Sequence, residues 1–174
     1  MGCLISSNGE HPMITKEQTK ILTSTWHSIH GDLEKIGLLM FMGMFDNYPE
    51  TRQFFGLSGG SIVLEDPAVI QKIREHGLRF MTTARKLVMN LDDKDKFDRI
   101  LLDLGRRHHG YKADVDLIEV FGQQFIASIQ PTLKDNWNPA VGEAWEQLFK
   151  CVSSRMKDGF LQAQSSPSNT ELLK

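Results

Sequence analysis

Cysteine is nearly absent from this chain: Cys3 and Cys151 stand near opposite ends of 174 residues. Two thiols so far apart exclude the disulfide framework of a small secreted domain and the close spacing of a zinc site, and they fit a reducing compartment. An excess of either charge is also lacking, with a formal net charge of −2 and basic residues scattered among acidic ones. No broad basic field is available to attract a phosphate backbone, so nucleic acid is not expected as a partner. Long apolar runs are missing too. A membrane span needs about 18 apolar residues in a row, and a secretory signal needs a basic flank before its apolar core; neither pattern is present. The body of the chain is expected to be soluble, and its length suits one domain with one core. Alternating β-branched runs are scarce, which removes the signature of strands.

What is present is helical period. Between residues 14 and 160 apolar side chains recur at intervals of three and four, and the fold class read from them is all-α. Thr15 and Gln18 predict a capping box ahead of a first helix with Ile21, Leu22, Trp26 and Ile29 on one side. A second helix is expected over 32–46, a short one after Pro49, and a glycine-bearing loop over 56–64. Asp66 and Pro67 then supply an N-cap and a first-turn proline for a long helix to about residue 91. Further helices are predicted over 94–109, ending on Gly110 in a left-handed conformation, over 115–133 and over 139–160, making seven. Residues 1–13 and 161–174, rich in small polar types, read as tails.

Helical geometry selects the residues that carry chemistry, since each step turns about 100° around the axis. Phe97, Leu101, Leu104 and His108 form one stripe, and His109 falls a step further round, toward solvent or the helix edge. Val69, Ile73, His76, Phe80 and Leu87 form another. A single histidine on an apolar stripe is more often a core residue bonded to a carbonyl than a metal ligand. Two on consecutive helices point elsewhere. An iron porphyrin needs a neutral imidazole on a rigid support and a large apolar slot, for which Phe41, Phe45, Phe54, Phe55 and Phe80 are candidate walls. Phenylalanines at this spacing also suit an ordinary core, so the pattern leaves haem as one option among several. Cys151 reads as a small buried hydrophobe, and His11, His27 and His30 as surface residues without a role.

Several landmarks in order resemble the globin family: Trp26, Tyr48-Pro49-Glu50-Thr51 followed by Phe54-Phe55, His76, and Leu104-Gly105-Arg106-Arg107-His108, with 32 residues between the two histidines. The last run is similar to the neuroglobin and globin X branch, and the likeness covers about residues 14–160. It implies seven to eight helices around a haem b pocket, His108 as proximal ligand, His76 as distal residue and a second possible ligand, and Phe55 stacked on the porphyrin. It also implies Phe41 and Phe80 as pocket walls, Leu104 beside the proximal ligand, and Arg79 reaching a haem propionate. Phe80 departs from the smaller branched residue of many globins, and the corner after His108 departs from the usual spelling.

Met1-Gly2-Cys3-Leu4-Ile5-Ser6 fits N-myristoylation of Gly2 with palmitoylation of Cys3, a two-chain arrangement able to hold a protein on a bilayer. This too resembles globin X. The expected location is the cytoplasmic face of the plasma membrane, or the cytoplasm without acylation. The expected partners are a diatomic gas, namely oxygen, nitric oxide or carbon monoxide, and an unidentified reductant. Three functions follow from these readings: ligand binding or electron transfer by a haem protein, enzymatic turnover of nitrite, nitric oxide or peroxide, and a lipid-anchored redox sensor or helical adaptor that carries no haem.

Overall fold

The computed structural model describes residues 12–57, 66–114 and 116–165, and among these every regular element is helical. In chain order the α-helices are α1 (Lys16–Ile29), α2 (Leu33–Asn47), α3 (Pro67–Val88), α4 (Lys94–Gly110), α5 (Leu117–Leu133) and α6 (Pro139–Ser165). Short 3₁₀ turns occupy His30–Asp32, Pro49–Phe55 and Lys134–Asn136, and the second of these is the expected short helix after Pro49. The acylation signal at Gly2 and Cys3, His11, and most of the 56–64 loop lie outside the described residues.

The caps form where the sequence places them. The Gln18 amide donates to Thr15 Oγ1 at 3.1 Å while the Thr15 amide donates to Gln18 Oε1 at 2.9 Å, completing the box at α1. Asp66 accepts from the Ala68 amide at 2.8 Å ahead of Pro67, and Asp93 accepts from the Lys96 amide at 3.0 Å to start α4. α3 stops at Val88, short of residue 91, where the Asn90 side chain donates to the Lys86 carbonyl at 2.6 Å. α6 continues to Ser165, beyond the end expected at 160, with Arg106 Nη1 donating to Gln162 Oε1 at 3.2 Å.

The expectation for Gly110 is corrected. Gly110 remains helical, and the left-handed residue is Lys112, at φ 54°. The Ala113 amide donates to the His108 carbonyl at 3.1 Å and the Lys112 amide to the His109 carbonyl at 3.0 Å, a Schellman ending two residues later than the glycine suggested. A side chain in this conformation costs roughly 1 kcal/mol that glycine avoids. Lys112→Gly is therefore expected to raise stability by about 1 kcal/mol in chemical denaturation, less its own chain entropy.

α2 and α5 are apolar enough to sit at the centre, with Met40, Phe45, Phe125 and Ile129 wholly enclosed. Trp145 of α6 is fully buried and donates its indole N–H to Thr25 Oγ1 at 3.1 Å, a bond worth about 1 kcal/mol that pins α6 to α1. Trp26 packs against it with ring centroids 6.4 Å apart. Cys151 is buried as expected, its thiol donating to the Pro12 carbonyl at 3.0 Å. Burial, and secondarily the charge of Asp98, pushes the thiol pKa up to about 11 from 9. The thiol should then stay protonated and unreactive toward alkylating reagents at pH 8 until the chain unfolds. Its raised pKa favours the fold below pH 9, and that contribution should fall away as the pH climbs toward 11. A Cys3→Ser variant isolates this thiol in both measurements.

Two pairs of helices approach unusually closely. A Cβ on Gly37 of α2 would lie 2.8 Å from the Gly77 carbonyl carbon of α3, and the reciprocal Cβ on Gly77 would lie 2.7 Å from that of Gly37. A Cβ on Gly105 of α4 would overlap the Met156 carbonyl oxygen of α6, and one on Gly159 would overlap the Leu102 carbonyl oxygen. α3 therefore rests chiefly on α2, and α4 on α6.

Candidate functional site

The two consecutive helices that carry His76 and His108 are thus held by different partners rather than chiefly by each other. Each histidine is half-buried and tied the same way. His108 Nδ1 lies 2.8 Å from the Leu104 carbonyl, and His76 Nδ1 lies 3.0 Å from the Lys72 carbonyl. A carbonyl only accepts, so Nδ1 carries the proton in both rings, and in the neutral ring Nε2 is the nitrogen with a free lone pair. This is the tautomer a metal-binding imidazole needs, with its outer nitrogen anchored to the backbone. Burial lowers the His76 pKa below its ordinary value, and the charges of Arg79 and Lys72 add to the effect. The Lys72 carbonyl bond and Glu75 oppose it. Burial therefore favours the neutral ring, the form able to ligate a metal.

His109, a step round α4, packs edge-on against Phe160 with centroids 5.0 Å apart. It faces α6 rather than sharing the surroundings of His108, whose ring neighbour is the exposed Tyr111 at 6.0 Å. Leu104 packs against the core on the same helix as His108, and supplies the carbonyl that orients it.

Around His76 the aromatic residues meet. Phe55 stands 5.1 Å from the His76 ring and 5.2 Å from Phe41, while Phe41 is 6.3 Å from His76. Phe54, its neighbour in sequence, is exposed, so the 3₁₀ turn after Pro49 directs only Phe55 inward. Phe80 lies one turn from His76 and packs on Phe125 at 5.7 Å and on Phe149 at 6.4 Å, against α5 and α6. Arg79 is exposed and pairs with Glu75 at 3.5 Å. The structure thus brings Phe41, Phe55 and His76 into one cluster and leaves Arg79 on the outer surface.

Phe121 escaped the sequence reading. Its ring lies 5.6 Å from Phe41, 6.3 Å from Phe55 and 6.5 Å from Phe80, joining the aromatic residues on both sides of His76. The available signal was its place one residue before Gly122, beside the buried stripe of Ile118, Phe125 and Ile129 on α5.

These residues fit an iron porphyrin on chemical grounds. Among the described residues no three His, Cys, Asp or Glu side chains cluster to hold a metal ion. Two imidazoles with free Nε2 lone pairs suit a metal whose other ligands arrive with it, and an aromatic wall suits an apolar macrocycle. The globin family model matches residues 39–156.

The chain belongs to the globin family.

This globin is similar to cytoglobin-1 of Danio rerio, 26% identical over 141 residues that span 78% of this chain and 79% of the relative. It is also similar to neuroglobin of Dissostichus mawsoni, 22% identical over 147 residues, 84% of this chain and 92% of that one. In fold it resembles the crystal structure of a hexacoordinated heme protein from an anhydrobiotic tardigrade at pH 4. The TM-score is 0.75 at 18% identity, covering 85% of this chain and 96% of that one.

Proposed function

We propose that this globin binds haem b, which His108 would hold with His76 as the second imidazole of the site, and uses it for diatomic ligands or one-electron exchange. The observation that carries this reading is His76 in ring contact with Phe55 and Phe41 in a chain of the globin family, while His76 and His108 each direct Nδ1 to a carbonyl four residues back, as the exposed His27 also does, and leave Nε2 available. Bound haem would supply an iron with two axial positions and a reversible one-electron couple. Phe41, Phe55 and Phe121 offer an apolar wall against which a macrocycle would pack. The tardigrade protein, described as hexacoordinated, supports coordination by both histidines here. The visible spectrum of dithionite-reduced, anaerobic protein tests this. Sharp, split bands are expected from two axial histidines; one broad band would remove His76 from the iron, and no Soret band at all would overturn haem binding.

The membrane part of the reading rests on Met1-Gly2-Cys3 and the serine at position 6. One myristoyl chain holds a protein only marginally, at about 10⁴ M⁻¹, so both acyl chains are needed for a stable anchor at the cytoplasmic face. Gly2→Ala is expected to move the protein from membrane to soluble fractions and to abolish labelling with a myristate analogue. Among the described residues no helix is long and apolar enough to cross a membrane.

A further inference from the structure

α3 has two unlike faces. Ile73, Met81, Leu87 and Val88 are buried, while the opposite side is solvent-exposed along its whole length. On that outer side Gln71, Arg74, Leu78, Thr82, Arg85 and Met89 recur at intervals of three and four. Leu78 and Met89 are 50% and 58% exposed, and eleven residues of helix bring them back to within about 20° of the same line. Isolated exposed hydrophobics are ordinary, and Leu39, Phe54 and Leu161 are such cases on separate elements. Here two share one stripe inside a basic field.

The charge of that field is disproportionate. α3 carries five basic side chains, Lys72, Arg74, Arg79, Arg85 and Lys86, against the single acid Glu75, in a chain of net charge −2. Arg74 reaches Glu34 at 3.6 Å and Arg79 reaches Glu75 at 3.5 Å, both at the surface where such pairs contribute little. Arg85 and Lys86 make no ion pair among the described residues. Asp92 and Asp93 follow in the turn beyond Met89, so the basic character is concentrated ahead of that turn.

We infer that the outer face of α3 is a docking surface for an anionic lipid bilayer. Basic side chains reach the negative headgroup layer, and Leu78 and Met89 enter the boundary beneath it, the arrangement of a helix that lies in an interface plane. What favours lipid is charge: five basic side chains against one acid on this helix complement an anionic headgroup layer, and the stripe lacks the aromatic residues that protein interfaces gather. The inference deepens the membrane reading above and rests on it for the presence of a bilayer. His76 projects from the other side of α3, so the helix would stand between the lipid and the candidate haem site.

The test uses full-length, haem-loaded protein made without acylation, sedimented with phosphatidylcholine vesicles that contain or lack phosphatidylserine. Binding is expected only with phosphatidylserine and is expected to disappear in high salt, as screening shortens the reach of each charge. Arg85→Gln and Lys86→Gln should each lower the partition coefficient about fivefold. Leu78→Ser with Met89→Ser should weaken binding while leaving its salt dependence unchanged. All four sites are exposed, and an unchanged melting temperature verifies each fold. Equal binding by the wild type and the Gln variants overturns the inference. So does failure to bind phosphatidylserine vesicles alongside retention on an acidic polypeptide, which would assign the face to a protein. If unacylated protein ignores the vesicles while acylated protein fractionates with membranes, this inference fails and the anchoring reading stands. The reverse result sinks anchoring and keeps the α3 surface.

Discussion

His108→Ala should abolish stable haem binding. Substitutions in the shell outside a metal ligand commonly weaken the metal site 10- to 100-fold, so removing the ligand itself should exceed about a hundredfold. Haem transfer to an acceptor globin, followed at the Soret band, measures the loss. The neighbouring His109→Ala should retain haem, because its ring packs on Phe160. His76→Ala should also retain haem but change its class of spectrum, from two axial imidazoles to one. If His108→Ala held haem as firmly as the wild type and His109→Ala did not, the choice between the neighbours would be wrong.

The second large effect belongs to two glycines at the crossing of α4 and α6. Gly105→Ala and Gly159→Ala would each push a methyl into a carbonyl oxygen of the facing helix, and backbone cannot step aside as a side chain can. Overpacking of a dense core typically costs about 1–3 kcal/mol, and a backbone collision belongs at or above the top of that range. For a domain of this size each kcal/mol lowers the melting temperature by roughly 2–4 °C, so a fall of about 6–12 °C is expected. Because α4 carries His108, haem dissociation should quicken in the same variants. Gly110→Ala is the internal control: a Cβ there meets nothing within 4 Å, and removing a helical glycine should stabilise by about 0.5–1 kcal/mol. Equal stability of the Gly105 and Gly110 variants would refute the close crossing.

What the sequence made legible was local or periodic. Thr15 with Gln18 and Asp66 with Pro67 announce helix starts because their caps close within three residues. The phase of α4 separates His108 from His109, since one helical step decides which ring meets Leu104 and which meets Phe160. The choice of Phe55 over Phe54 came from family resemblance, and the turn after Pro49 is its physical reason. What stayed hidden depends on other elements. Phe121 lies 45 residues from His76, and its role appears only when α5 crosses α2 and α3. The glycine crossings are invisible for a stronger reason, because the constraint on Gly105 is the backbone of Met156 and no local pattern records it. Lys112 misled in the other direction: Gly110 has the residue type for a helix end, but α4 winds past it and closes over the carbonyls of His108 and His109.

The paired crossings, Gly37 with Gly77 and Gly105 with Gly159, divide the labour of evolution within the molecule. The position of each histidine-bearing helix is registered on backbone, whereas the surroundings of His76 are built from replaceable rings such as Phe41 and Phe55. A lineage can therefore exchange the rings around His76 while the frame stays in register. Mutations in the frame are screened by folding, and mutations in those rings by chemistry.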